Sequence, residues 1–217
     1  TGHLALTGLG LTLPIISIVM GFANLCGTGG APLCSIYRGK GEEEEAERIM
    51  GNAFTLLLIF GAAVTGVFLL FRHPLLYLFG ASDATYPYAE AYMTIYLLGT
   101  VFVMIGLGMN PFITSQGFGA TGMMTVGLGA IVNIVLDPIF IFVFHMGVEG
   151  VAIPTVISQC VSAGLVLLCL VKAHAPYHVD LHALRLKKDK LLGMVKIGLP
   201  AGIQGCSFSI SNVLIQS

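Results

Sequence analysis

Residues 91–136 read AYMTIYLLGTVFVMIGLGMNPFITSQGFGATGMMTVGLGAIVNIVL and contain no Asp, Glu, Lys or Arg. A helix needs about 20 apolar residues to cross the roughly 30 Å hydrocarbon core of a bilayer, because each residue adds about 1.5 Å. The run is long enough to cross twice, so it must turn back on itself. The sequence SQGFGATG at 115–122 supplies a break, because its glycines permit a turn. This stretch therefore predicts two consecutive membrane helices.

The whole chain has the same character, since 56% of its residues are hydrophobic and 10% are charged. This composition is far from that of ordinary globular domains. The pattern predicts an all-α, multi-pass membrane protein whose surface contacts the lipid bilayer. We expect five complete membrane helices and the start of a sixth; they cover about 7–37, 49–71, 91–114, 123–144 and 150–171, and the sixth begins near 197.

The positive charges predict how these helices are oriented. Nine of the ten Lys and Arg residues fall in the loop after the first span or in the segment 172–196, and only Arg72 lies elsewhere. The positive-inside rule makes these two segments cytoplasmic, and it places 73–90 and 145–149 outside. The first span then runs inward. One earlier crossing is expected before Thr1, and another span is expected to continue beyond Ser217.

Asp137 is the one charged residue deep inside an apolar stretch. Placing a carboxylate at the centre of a bilayer costs about 3 kcal/mol or more, so such a residue is a functional-site candidate. Asn133 lies one turn away on the same helix face. Pro138 has no amide hydrogen, so the carbonyl of Ile134 loses its usual helix partner. Together these groups predict a site for a cation or a proton.

Two other interpretations of the polar residues are open. Asp137 could simply form a hydrogen bond to a neighbouring helix and have no functional role. His174, His178 and His182 have the spacing of metal ligands on a helix, but Pro176 interrupts that helix and favours a polar connector.

An intramembrane aspartyl protease needs two carboxylates, and a zinc protease needs a His-Glu-x-x-His helix, so we predict neither catalysis nor a bound metal.

Several motifs together resemble one family. The sequence YRGKG at 37–41, followed by AER at 46–48 and GNAF at 51–54, is similar to the loop after the second helix of the multidrug and toxic compound extrusion (MATE) transporters. The stretches 133–140, 150–159 (with TVISQ at 155–159) and GLPAG at 198–202 resemble the fifth, sixth and seventh helices of that family. The resemblance extends over essentially the whole chain in order. It implies a fragment that covers about helices 2 to 7.

The resemblance implies a twelve-helix transporter made of two six-helix lobes. Residues 1–190 would form the first lobe, without its first helix, and the connector between lobes, and residues 191–217 would begin the second lobe. Such a protein would export organic, often cationic, compounds from the cell across the plasma or inner membrane, in exchange for protons or sodium. We expect a monomer with no cofactor other than the coupling ion and no nucleic-acid partner.

The family's cation site maps onto Asn133, Asp137 and Thr155, and a tyrosine near the outer end of its fourth helix maps onto Tyr92, with Tyr96 as the competing position. Pro154 departs from the small residue that the family usually has before the threonine. The alternative function is a flippase for lipid-linked saccharides, from a related transporter branch. Such a flippase needs cationic side chains in its cavity, and no predicted span contains Lys or Arg.

Overall fold

The computed structural model describes residues 2–172 and 188–216. Over these ranges the chain forms nine α-helices and one π-helical segment: α1 (Gly2–Gly10), α2 (Leu13–Gly39), α3 (Glu43–Leu70), α4 (Arg72–Leu78), α5 (Tyr86–Leu98), α6 (Thr100–Thr114), α7 (Gly119–Pro138), the π-helical segment (Ile139–Val143), α8 (Glu149–Lys172) and α9 (Lys188–Gln216). Residues 173–187 lie outside the described residues. They include His174, His178 and His182 and most of the predicted connector.

The five predicted complete spans are confirmed. Within the described ranges, four continuous or nearly continuous helical segments are long and apolar enough to cross a membrane: His3–Gly39, Glu43–Leu70, Gly119–Val143 and Glu149–Val171. The fifth span is the pair α5 and α6, whose axes meet at an angle of 55°. The structure is therefore an all-helical membrane protein, as the sequence predicts.

The third span is bent at Gly99, a feature that the sequence did not predict. This glycine caps α5 and is followed directly by α6. A Cβ atom at this position would lie within 3.0 Å of the Val156 side chain on α8. The missing side chain thus lets α8 approach the bend closely, and this approach is a tertiary feature that hydropathy does not record.

Two helices differ in detail from the hydrophobic pattern. The first span is interrupted at Leu11 and Thr12, before Pro14 in the first turn of α2. Helix α9 begins at Lys188, several residues before the apolar stretch near residue 197 where the sixth span is predicted to begin. The hydrophobic pattern marks where a helix enters hydrocarbon, and a helix can begin several residues earlier in a polar, hydrated segment.

Helix α2 lies at the centre of the molecule and packs against α3, α6 and α9. The apolar core contains large, fully buried side chains, among them Ile49, Met50, Leu57, Met104, Met109, Phe112 and Ile113. At the α3–α6 crossing, a Cβ atom at Gly108 would lie within 3.0 Å of Leu57. Small residues therefore allow close packing between these apolar helices, as is typical of membrane bundles.

Among the described residues, ion pairs are found towards both ends of the bundle. At one end, Lys190 forms an ion pair with Glu45, and Arg38 donates a hydrogen bond to Gln116. At the other end, Arg72 pairs with Glu90 over 3.0 Å. The two segments that the charge pattern makes cytoplasmic thus meet each other. The segment after the second span, which the charge pattern places outside, contains most of the short helix α4.

Candidate cation and substrate site

The site is built on the C-terminal half of α7, where Asn133 and Asp137 face the same way one turn apart. The Asn133 Nδ2 atom donates a hydrogen bond to Asp137 Oδ1 over 3.2 Å. Both side chains are partly exposed. The amide therefore orients one carboxylate oxygen, and the carboxylate keeps further lone pairs for a cation or a proton.

Helix α7 changes its geometry immediately after Asp137. Pro138 is its last residue, and the five residues Ile139–Val143 continue as a π-helix. Pro138 cannot donate an amide hydrogen to the carbonyl of Ile134, and π-helical turns occur often at functional sites. Pro138 indicated that the helix would be irregular here, but the sequence did not predict that residues after it form a π-helix.

Thr155 faces this region from α8. Its hydroxyl donates to the Val151 carbonyl over 2.8 Å, so the hydrogen is directed into its own helix and the oxygen is left as an acceptor or ligand. Pro154 lies in the second turn of α8 without ending the helix. The departure from the family pattern at this position therefore leaves the threonine on a continuous helix.

Tyr92 completes the group from α5. Its side chain lies close enough to Thr155 for a hydrogen-bonding interaction and within electrostatic range of Asp137. Tyr96 stacks on Tyr92 with a ring-centroid distance of 6.1 Å and is almost completely buried. All four predicted site residues therefore converge from three helices, and Tyr92 is the tyrosine that contacts Thr155.

A cavity of about 240 Å³ opens beside these residues between α6, α7 and α8. Asn133 and Thr155 line it together with Ser158, Gln159 and Ser162. These last three residues were missed as site candidates at the sequence level. Positions 155, 158, 159 and 162 follow helical spacing, so a polar stripe on one face of α8 was the signal that could have found them.

The cavity offers oxygen and amide groups and no fixed positive charge. No Lys or Arg is among the described residues that line it. In the part of the chain that the structure describes, no group of three His, Cys, Asp or Glu side chains could hold a transition metal. Carboxylate, amide and hydroxyl oxygens suit a proton or a hard cation such as sodium.

Relatives of known identity resemble the chain over almost all of its length. It is 26% identical over 210 residues to the multidrug export protein MepA of Staphylococcus saprophyticus subsp. saprophyticus, which covers 97% of this chain and 47% of that protein. Over 212 residues it is 26% identical to MepA of Staphylococcus aureus, with the same coverage. The chain thus spans about half the length of these curated relatives.

Solved structures agree with the fold, and a family model decides the classification. An inward-facing multidrug resistance MATE family transporter of the MOP superfamily matches 98% of this chain and 48% of its own, with a TM-score of 0.92 and 26% identity. The MATE multidrug transporter DinF-BH, solved in complex with a ligand, matches 98% of this chain and 47% of its own, with a TM-score of 0.90 and 34% identity. The MatE family model matches residues 1–139. This chain therefore belongs to the MatE family, the multidrug and toxic compound extrusion transporters that its motifs resemble.

Proposed function

We propose that the full-length protein exports small organic compounds, including cations, in exchange for inward flow of protons or sodium. Residues 1–190 supply most of the first lobe and the connector, and residues 191–217 begin the second lobe. The observation that carries the proposal is the convergence of Asp137, Asn133, Thr155 and Tyr92 beside a polar cavity inside the helix bundle.

The proposed substrate class has support from the similar proteins. The staphylococcal relatives are named multidrug export proteins, and DinF-BH is named a multidrug transporter and was solved in complex with a ligand. The 240 Å³ cavity is smaller than the roughly 300–1,000 Å³ that drug-sized ligands occupy. We therefore propose that this lobe binds the coupling cation and contributes one wall of a larger substrate cavity.

The proposed coupling mechanism depends on the two charge states of Asp137. An ionised carboxylate in a partly apolar site is stabilised by a bound cation or by hydrogen-bond donors, whereas a protonated carboxylate needs neither. Protonation or sodium binding therefore changes which arrangement of α7, α8 and α5 is favoured. Alternating access then releases substrate outside when the lobe repacks around its neutralised site.

The lipid-linked saccharide flippase finds no support in this site. A flippase must hold a pyrophosphate, and cationic side chains are the groups that bind it well. The described lining of the cavity consists of small, apolar and neutral polar residues. Asp137, which is hydrogen-bonded to the lining residue Asn133, carries a carboxylate that would repel a pyrophosphate.

The test is Asp137→Asn in the full-length protein. The substitution preserves the size of the side chain and removes the titratable charge. Efflux of a fluorescent cationic dye, normalised to folded protein in the membrane, should fall to background, and an imposed proton or sodium gradient should no longer change it. Thermal stability should be equal or higher, because no carboxylate is buried.

The matched control is Glu149→Gln, which removes a carboxylate at the exposed start of α8. This variant should retain dye efflux. Wild-type efflux per folded molecule in Asp137→Asn would refute the coupling proposal. A loss of folded protein combined with normal efflux by the remainder would show that Asp137 is structural.

A further inference from the structure

Helices α2 and α9 come into direct backbone contact along the half of the bundle that is predicted to be cytoplasmic. A Cβ atom at Gly29 would lie within 3.0 Å of the Met194 carbonyl oxygen. A Cβ atom at Gly198 would lie within 3.0 Å of the Leu25 carbonyl oxygen. The Met194 side chain is fully buried in this contact. The two helices are therefore closed against each other by backbone contact at the glycines, and Met194 is buried against Gly30 of α2.

A polar cluster lies at the cytoplasmic end of this contact and joins three helices. Lys190 of α9 places its Nζ atom 2.9 Å from Glu45 Oε2 of α3 and 3.7 Å from the ring centroid of Tyr37 on α2. The side chains of Lys190 and Glu45 are only 16% and 24% exposed. This partial shielding makes the contact stronger than an ordinary surface ion pair.

The groups around Lys190 keep it charged. Its hydrogen bond to Tyr37, and then the hydrogen bond to Glu45, raise the pKa of the Lys190 ammonium above its ordinary value. The pair is therefore intact at neutral pH. It is lost as pH rises through the raised pKa of Lys190, or as pH falls through the pKa of Glu45, which the hydrogen bond to Lys190 lowers. Glu45 also accepts a hydrogen bond from Arg48 of its own helix, which holds the carboxylate in place.

We propose that Lys190, Glu45 and Tyr37 form a latch that holds α9 against α2 and α3 and closes the cytoplasmic side of the transport cavity. The place of this latch in a transport cycle rests on the proposed function. A partly hydrated charge pair can reform after each opening, because its two groups regain water when they separate. Opening the latch would separate the glycine contacts beneath it and expose Met194, which is fully buried when the latch is closed.

The first experiment measures closure without using transport. In a full-length protein whose native cysteines are replaced, Met194→Cys is a reporter for labelling by a membrane-impermeant maleimide from the cytoplasmic side. Adding Lys190→Glu should raise the labelling rate about fivefold or more. The charge swap Lys190→Glu with Glu45→Lys should return the rate towards that of the reporter alone. Glu43→Lys, a charge reversal on the same helix outside the cluster, should leave it unchanged.

The second experiment asks whether the latch must open during export. The pair Glu45→Cys and Lys190→Cys is joined in the membrane by a short bis-methanethiosulfonate reagent, which a reductant cleaves. Joining should stop dye efflux, and reduction should restore it. The control pair Glu43→Cys and Glu47→Cys lies within α3, so joining it should leave efflux intact.

The outcomes separate the latch from the proposed function. Unchanged labelling of Met194→Cys in the Lys190→Glu variant would overturn the latch, and so would normal efflux by the joined pair. A parent protein that exports nothing would refute the proposed function, while the labelling experiment would still decide whether the latch closes this side.

Discussion

Helices α2 and α7 are both apolar and rich in glycine, yet the structure uses them differently. Helix α2 is buried along much of its length, and its glycines meet neighbouring helices at Gly108, Phe112 and Met194. Among the described residues of α7, only Gly122, Thr125 and Gly129 are buried. Glycine content by itself therefore does not distinguish a helix that packs from a helix that lines a site.

The polar residues of the two helices differ in the same way. On α2, Ser17 and Thr28 donate to carbonyls of their own helix, and Ser35 also donates to Ser115 at the end of α6. On α7, Asn133 and Asp137 pair with each other beside a cavity. We infer that α2 maintains the architecture, whereas α7 carries the proposed cation site and is held by fewer contacts. Three predictions test this difference.

The largest difference in thermal stability is expected when one methyl group is added to a packed glycine of α2 and, for comparison, to an unpacked glycine of α7. In Gly29→Ala, the new Cβ would lie within 3.0 Å of backbone atoms of α9, so the helices must separate at a cost of about 1–3 kcal/mol. In Gly127→Ala, no atom lies within 4 Å of the new Cβ, and alanine favours the helix by up to about 1 kcal/mol. Thermal unfolding in detergent should therefore give a lower midpoint for the first variant and an equal or higher one for the second. Equal shifts would remove the distinction between the helices.

A smaller effect, on coupling and not on stability, is expected at the site. Asn133→Ala removes the donor to Asp137, and Thr155→Val removes a hydroxyl oxygen without removing charge. Each should lower gradient-driven dye efflux by about two- to tenfold, the effect of one hydrogen bond or ligand. Thr55→Val on α3 is the matched control, because Thr55 also donates to its own helix, over 2.9 Å. If the control loses as much efflux as Thr155→Val, the defect comes from general packing.

The smallest effect is expected where α7 is tied to α6. Asn110 Nδ2 donates to the Gly122 carbonyl over 2.9 Å and to Thr125 Oγ1 over 3.0 Å. Hydrogen bonds between membrane helices contribute about 0.6 kcal/mol on average, so Asn110→Ala should lower the unfolding midpoint by only a degree or two. A drop as large as that of Gly29→Ala would show that α7 is an architectural helix too.

The sequence alone predicted the class of fold and the number of spans, while the side on which each loop lies stays a prediction. These properties follow from hydrophobic length and from the positions of Lys and Arg, and both are local and additive along the chain. Asp137 could also be identified as a site candidate from the sequence, because a carboxylate inside an apolar run has a high energetic cost in a membrane. Thr155 and Tyr92 were reached through the family's motifs, since no pattern in the chain alone connects them to Asp137.

Only the tertiary structure decided how these parts meet. It placed Tyr92 beside Thr155, opened a cavity along Ser158 and Gln159, and bent the third span at Gly99. It also brought Lys190 to Glu45 and Tyr37, although these residues are far apart in the chain. Contacts of this kind depend on which helix faces approach each other. Hydropathy and charge set the depth and direction of each helix, but they leave its rotation and its neighbours free, and packing fixes both.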